Sequence, residues 1–119
     1  MYTAYIAVTG LAIVANAFVA TADFLRAGFV LGNSAAVGVP ESWLTGLGLV
    51  KAAGAAGLLL GLSGVPLIGT AAAAGLVLFF VGAVATHLRA GDHSLSLGFP
   101  LAFLVLASAA LVLSLAMAA

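Results

Sequence analysis

Long apolar stretches alternate with short polar ones along this chain. A charge-free run extends from Met1 to Ala22, Asp23 and Arg26 follow it, and Phe29-Val30-Leu31 then gives way to the small, polar segment Gly32-Asn33-Ser34 before Pro40. A second apolar run opens at Pro40-Glu41-Ser42-Trp43 and reaches Leu62. A third starts at Pro66 after Ser63-Gly64-Val65 and ends near Leu88, and a fourth opens at Pro100. A helix crossing the ~30 Å hydrocarbon layer needs about 20 residues. The pattern therefore predicts four spans at about 2–22, 43–62, 66–88 and 99–118, joined by connections at 23–42, 63–65 and 89–98. Each proline falls at a helix entrance, where its missing N–H is no loss and its fixed φ suits the first turn. The first run has neither the basic start nor the cleavage site of a secretory signal and is expected to be a retained helix. In lipid every backbone polar group must be satisfied within the chain. The expected fold is an all-α membrane protein, a single domain of four transmembrane helices in an antiparallel bundle.

Composition sharpens this. Of 119 residues 66% are hydrophobic and 5% charged, far from the soluble average of roughly 45–50% apolar and 25% charged. Three Lys and Arg balance three Asp and Glu, so no net charge steers the protein toward nucleic acid, and none is expected as a partner. The absence of cysteine excludes disulfides, thiolate metal sites and C-x-x-C redox chemistry. A carboxylate-bridged metal pair needs several glutamates and E-x-x-H repeats, and the chain has only Glu41. No metal is expected, and no cofactor apart from a bound quinone or lipid.

The first and third connections must share one membrane face. Asp23, Arg26, Glu41, Arg89, Asp92 and His93 lie in them, and His87 ends span three at the same face. The polar chemistry gathers at one end. The positive-inside rule puts Arg26 and Arg89 in the cytoplasm and both termini outside. The first connection, about 20 residues, exceeds the ~12–15 beyond which a loop in a compact domain is usually functional or disordered, and it is read here as functional.

Lys51 is the outlier. It lies eight residues past Trp43, about 12 Å along the helix, where an ammonium costs about 2.5–3.5 kcal/mol to insert. The seven leucines of span two and Val50 return roughly 3–4 kcal/mol, which one lysine nearly cancels. Either its stem snorkels back to the Trp43 level, or the ammonium pairs with Asp23 or Glu41 at the mouth of a pocket between helices. His87 stands at the end of span three, where it offsets the helix dipole and meets lipid phosphates, or else bonds Asp23 or Glu41 in an acid/base site. Asn16 shares a helical face with Asp23 and is expected to bond another helix. Lys51, His87 and Asp23 are thus the candidate catalytic residues, and Asn16, Arg26, Glu41, Trp43 and Arg89 the candidate binding residues. Asn16, Asp23, Lys51 and His87 could form one polar seam. Gly57-x-x-x-Gly61 and Gly28-x-x-x-Gly32 match a helix-packing motif, read first as contacts within the chain. In span four, Ser108 and Ser114 are expected to bond their own backbone.

The pattern Pro-Glu-Ser-Trp-Leu, then Leu-Val-Lys-Ala-Ala-Gly-Ala-Ala-Gly-Leu-Leu-Leu-Gly-Leu, then Ala-Thr-His-Leu-Arg-Ala-Gly-Asp resembles the DoxX-like family of small bacterial membrane proteins. The resemblance implies a four-helix protein of the cell membrane. The family takes its name from a small subunit of a quinone-linked archaeal oxidoreductase, and distant animal relatives resemble assembly chaperones for ion channels. Many relatives carry Glu where this chain has Lys51. Two functions follow as expectations. One is a small subunit or assembly factor that packs against a larger membrane complex, as a homo-oligomer or with a membrane or soluble partner subunit. The other is a small membrane enzyme that binds a quinone or lipid-like molecule between its helices. The first asks less of the sequence.

Overall fold

The computed structural model describes residues 1–118. Its helices are α1 (Tyr2–Leu25), α2 (Gly28–Ala36), α3 (Leu44–Leu62), α4 (Pro66–Arg89) and α5 (Gly98–Ala118), with short 3-10 turns at Glu41–Trp43 and Leu95–Leu97. All but α2 are long and apolar enough to cross a membrane, the second and fourth spans with the help of those turns. Helix α1 packs on α3 and α5, and α4 on the same two. The ring closes in the order α1, α3, α4, α5.

The glycines of α3 set the tightest contact. A Cβ on Gly61 would lie 2.6 Å from the Cα of Gly69, one on Gly57 2.6 Å from the Cβ of Ala72, and one on Gly54 2.5 Å from Leu76. As the residue number falls on α3 it rises on α4, so the two helices run antiparallel with backbones touching at the turn, as small residues permit in membranes. The Gly57/Gly61 motif thus serves packing within the chain. Gly28 and Gly32 have open space around them. Beyond this contact, Ala12, Leu58, Ala73, Leu76, Phe80 and Ala107 form the core.

Three expectations need correction. Helix α1 runs past Ala22 to Leu25, so Asp23 belongs to its last turn and not to the connection. The first connection is not a plain loop, because α2 occupies nine of its residues. Ser114 does not bond its own backbone: its hydroxyl meets that of Thr70 on α4.

Helices α1 and α4 stop in the same way at the same face. The N–H of Arg26 donates to the Asp23 carbonyl and that of Ala27 to the Ala22 carbonyl, while Gly91 donates to Leu88 and Asp92 to His87. This is the Schellman arrangement, which needs a left-handed residue just past the last helical turn. Gly91 takes that conformation at φ 73°, and Arg26 takes it at φ 51° despite its Cβ. Beside the first of these ends, Ala22, Val30 and Leu44 make a small second core that ties α2 to the bundle.

Candidate functional site

A cavity of about 480 Å³ opens at the charged end, within the usual range of small-molecule sites. Val19 and Asp23 of α1, Leu47 and Lys51 of α3, Phe79, Ala83, Thr86 and His87 of α4, and Phe99 and Phe103 of α5 wall it. The first connection closes one side through Phe29, Asn33, Ser34, Val37 and Val39, and Trp43 stands at its edge. Phe29 and Phe99 stack across it at 6.2 Å between ring centres, which joins the first connection to the start of the last span. The pair links connection one to the last span, not to connection three, because Phe99 lies inside α5.

Two polar pairs stand at the cavity, the first lining it with both partners and the second through its histidine alone. Lys51 Nζ donates to Asp23 Oδ2 at 2.8 Å, and the side chains are 11% and 3% exposed. Of the two carboxylates considered as partners, Asp23 is the one used. The extension of α1 to Leu25 explains why, because it holds Asp23 inside the bundle against α3. The ammonium also lies 5.6 Å from the centre of the Phe79 ring, within reach of a cation–π attraction.

The second pair is His87 Nδ1 with Asp92 Oδ2, 2.7 Å apart. His87 does not bond Asp23 or Glu41. In the Schellman turn the residue after the left-handed one packs against one in the last turn, and here those positions are Asp92 and His87. Ser96 Oγ also donates to Asp92 Oδ2, while the backbone N–H and hydroxyl of Ser94 donate to Oδ1. The hydroxyl of Ser94, then that of Ser96, the Ser94 N–H and His87 hold this carboxyl far below the usual carboxylate range. Asp92, Ser94 and Ser96 are not singled out as site residues by the sequence. The signal was present in His-x-x-x-Gly-Asp, a helix ending whose glycine returns the aspartate to the histidine.

The remaining candidates separate from this centre. Asn16 is buried, yet its amide donates to the Ala12 carbonyl of its own helix at 2.9 Å and its Oδ1 has no partner among the described residues. The expected bond to another helix is not formed, and Asn16 does not line the cavity. The seam therefore holds Asp23, Lys51 and His87. Glu41 pairs with Arg26 at 3.3 Å on the surface, where Arg26 also reaches Thr45. Arg89 is exposed, and its guanidinium makes no hydrogen bond or ion pair among the described residues.

Four membrane-length helices around an internal chamber define a small integral membrane protein. The family model described as the DoxX-like family matches residues 7–110, and the chain belongs to that family. Searches of the curated proteins and of the solved structures returned no match.

Proposed function

We propose that the protein binds a quinone-like or lipid-like amphiphile in the chamber and acts on its polar head as a small enzyme of the cell membrane. The observation that carries this reading is the buried Lys51–Asp23 pair facing an aromatic-lined cavity. A buried pair is expensive in desolvation and is weak evidence for stability alone. Ionisable residues inside a membrane most often mark a substrate or ion path. Lys51 has two further N–H groups to offer a carbonyl or hydroxyl oxygen, Asp23 keeps the ammonium in place, and His87 offers a proton acceptor or donor at the rim. Phe79, Phe99 and Phe103 suit a flat ring or an acyl chain.

The reading as a small subunit or assembly factor draws on a different observation. Arg26, Glu41, Arg89 and His93 are all displayed at one membrane face, where a soluble or membrane partner, or a second copy, could dock. The two readings meet if the protein holds an amphiphile for a larger complex.

The test is the set of small molecules retained when the protein is taken from native membranes into lipid nanodiscs. An amphiphile enriched with wild type and lost in Ala83→Trp, which fills the chamber between the two polar pairs without replacing a member of either, supports the proposal. Equal lipid content in the two rejects it.

A further inference from the structure

The two polar pairs differ in what they can offer a ligand. Lys51 can only donate, and the Asp23 carboxylate, 3% exposed, is engaged by it. The ligand-facing character of His87 depends on where its proton sits, and Asp92 decides that. Two serine hydroxyls and a backbone N–H donate to the Asp92 carboxylate, and His87 Nδ1 lies 2.7 Å from its Oδ2. A carboxylate so surrounded accepts and does not donate, so the proton of the neutral imidazole belongs on Nδ1. Nε2 then carries a lone pair. Thr9 Oγ1 and Asn16 Oδ1 are the sealed polar side-chain atoms without a partner among the described residues. His87 Nε2 is not sealed and has no hydrogen bond there, and the space that His87 borders is the chamber.

We infer that His87 presents an unprotonated Nε2 to the chamber, so that its rim selects a ligand head that donates a hydrogen bond, a phenol- or quinol-type hydroxyl, over one that offers only acceptors. The inference rests on the proposed function in that it takes the chamber to hold an amphiphile. Asp92 is then a positioning residue: it touches no ligand and acts through His87. The other polar groups on this part of the wall, Thr86, Ser96, Asn33 and Ser34, can both donate and accept, so they leave the choice to His87. Lys51 stands near Phe79, eight residues below His87 on α4, roughly 12 Å deeper along the helix. A ligand with a single polar group at the rim therefore reports on His87.

Two measurements test this. The first is the ¹⁵N spectrum of the imidazoles in nanodiscs at mildly alkaline pH. The chain has two histidines, and His93→Gln assigns them. A proton on Nδ1 of His87 is expected, and a proton on Nε2 overturns the inference without any ligand. The second compares 4-octylphenol with its methyl ether, 4-octylanisole, followed by calorimetry and by the emission of Trp43, the sole tryptophan and a chamber residue. Wild type should prefer the phenol about tenfold, the worth of one hydrogen bond. In Asp92→Asn the side-chain amide can donate to Nδ1, the imidazole proton moves to Nε2, and the preference should vanish or reverse. His87→Phe, which keeps a ring and removes the acceptor, should abolish it as well, so the test survives if the Asn variant does not fold. Equal binding of the two probes by wild type, or a preference that both variants retain, overturns the inference and leaves the chamber reading standing. If wild type binds neither probe, the chamber reading falls and the inference with it.

Discussion

Helices α1 and α4 end at the same membrane face with the same backbone motif, and what differs is the pair of side chains that the motif brings together. At α1 those are Ala22 and Ala27, an apolar contact that belongs to the small second core. The carboxylate of Asp23, next to Ala22, is left to point into the bundle, where its partner comes from another helix, Lys51 of α3. At α4 the corresponding pair is His87 and Asp92, so this carboxylate folds back on its own helix and is satisfied locally by His87, Ser94 and Ser96. One end makes a long-range ion pair and the other a local cap. The chamber lies between them, with a donor on one side and a histidine aligned by its own connection on the other.

The contrast breaks most easily at Lys51. Lys51→Met strands Asp23 in a nearly closed site, and breaking a buried pair typically costs about 3–5 kcal/mol. Thermal unfolding in nanodiscs should show this as the largest single loss. Adding Asp23→Asn should restore much of it, because the coupling belongs to the pair, and a double-mutant cycle reads it directly. No change in stability for Lys51→Met would show that the ammonium carries no net interaction with Asp23.

The left-handed residues come next. Gly91→Ala places a Cβ in a conformation that disfavours it by about 1–2 kcal/mol, although nothing lies within 4 Å of the new atom. The loss is conformational, and it should weaken the Asp92 cap without touching Asp23 and Lys51. At α1 the same conformation is already strained by Arg26. Arg26→Gly should recover up to about 1 kcal/mol, less the surface pair with Glu41, which at 36% and 63% exposure is worth about 0–1 kcal/mol and fades with salt. High salt should therefore move Arg26→Gly above wild type, and a variant clearly less stable than wild type at every salt concentration would refute the strain argument.

The same contrast explains what was legible from the residues alone. Four apolar runs punctuated by prolines announced the spans, since length and hydropathy decide membrane insertion with little help from tertiary contacts. The partner of Lys51 was narrowed to two carboxylates and no further. Choosing between them required knowing that α1 continues through Leu25, and its stop is made by an arginine in a conformation that arginine does not favour. Asn16 departs from expectation for a related reason. An amide in lipid needs a partner, but the nearest one is the carbonyl four residues back, and local bonds of that kind compete with bonds between helices. The His87–Asp92 pair was more legible than it looked, because Gly91 is the ordinary signal for a helix end and geometry then places Asp92 on His87.

The smallest expected effect concerns pH, and it separates the two carboxylates by their surroundings. The folded chain holds Asp92 far below the ordinary carboxylate range, chiefly through the hydroxyls of Ser94 and Ser96, while in the unfolded chain it returns to about 3.9. A group whose folded value is depressed contributes stability that is full above its unfolded value and is lost as pH falls toward the folded one. Replacing both hydroxyls by Ser94→Ala and Ser96→Ala removes the main cause and leaves His87 in place. The stability difference between wild type and this variant should stay constant from about pH 8 to about pH 5 and shrink only below about pH 4. Unfolding scans at these pH values check it. A difference that already changes between about pH 8 and about pH 5 would mean that the serines act through the imidazole and not through the Asp92 carboxylate.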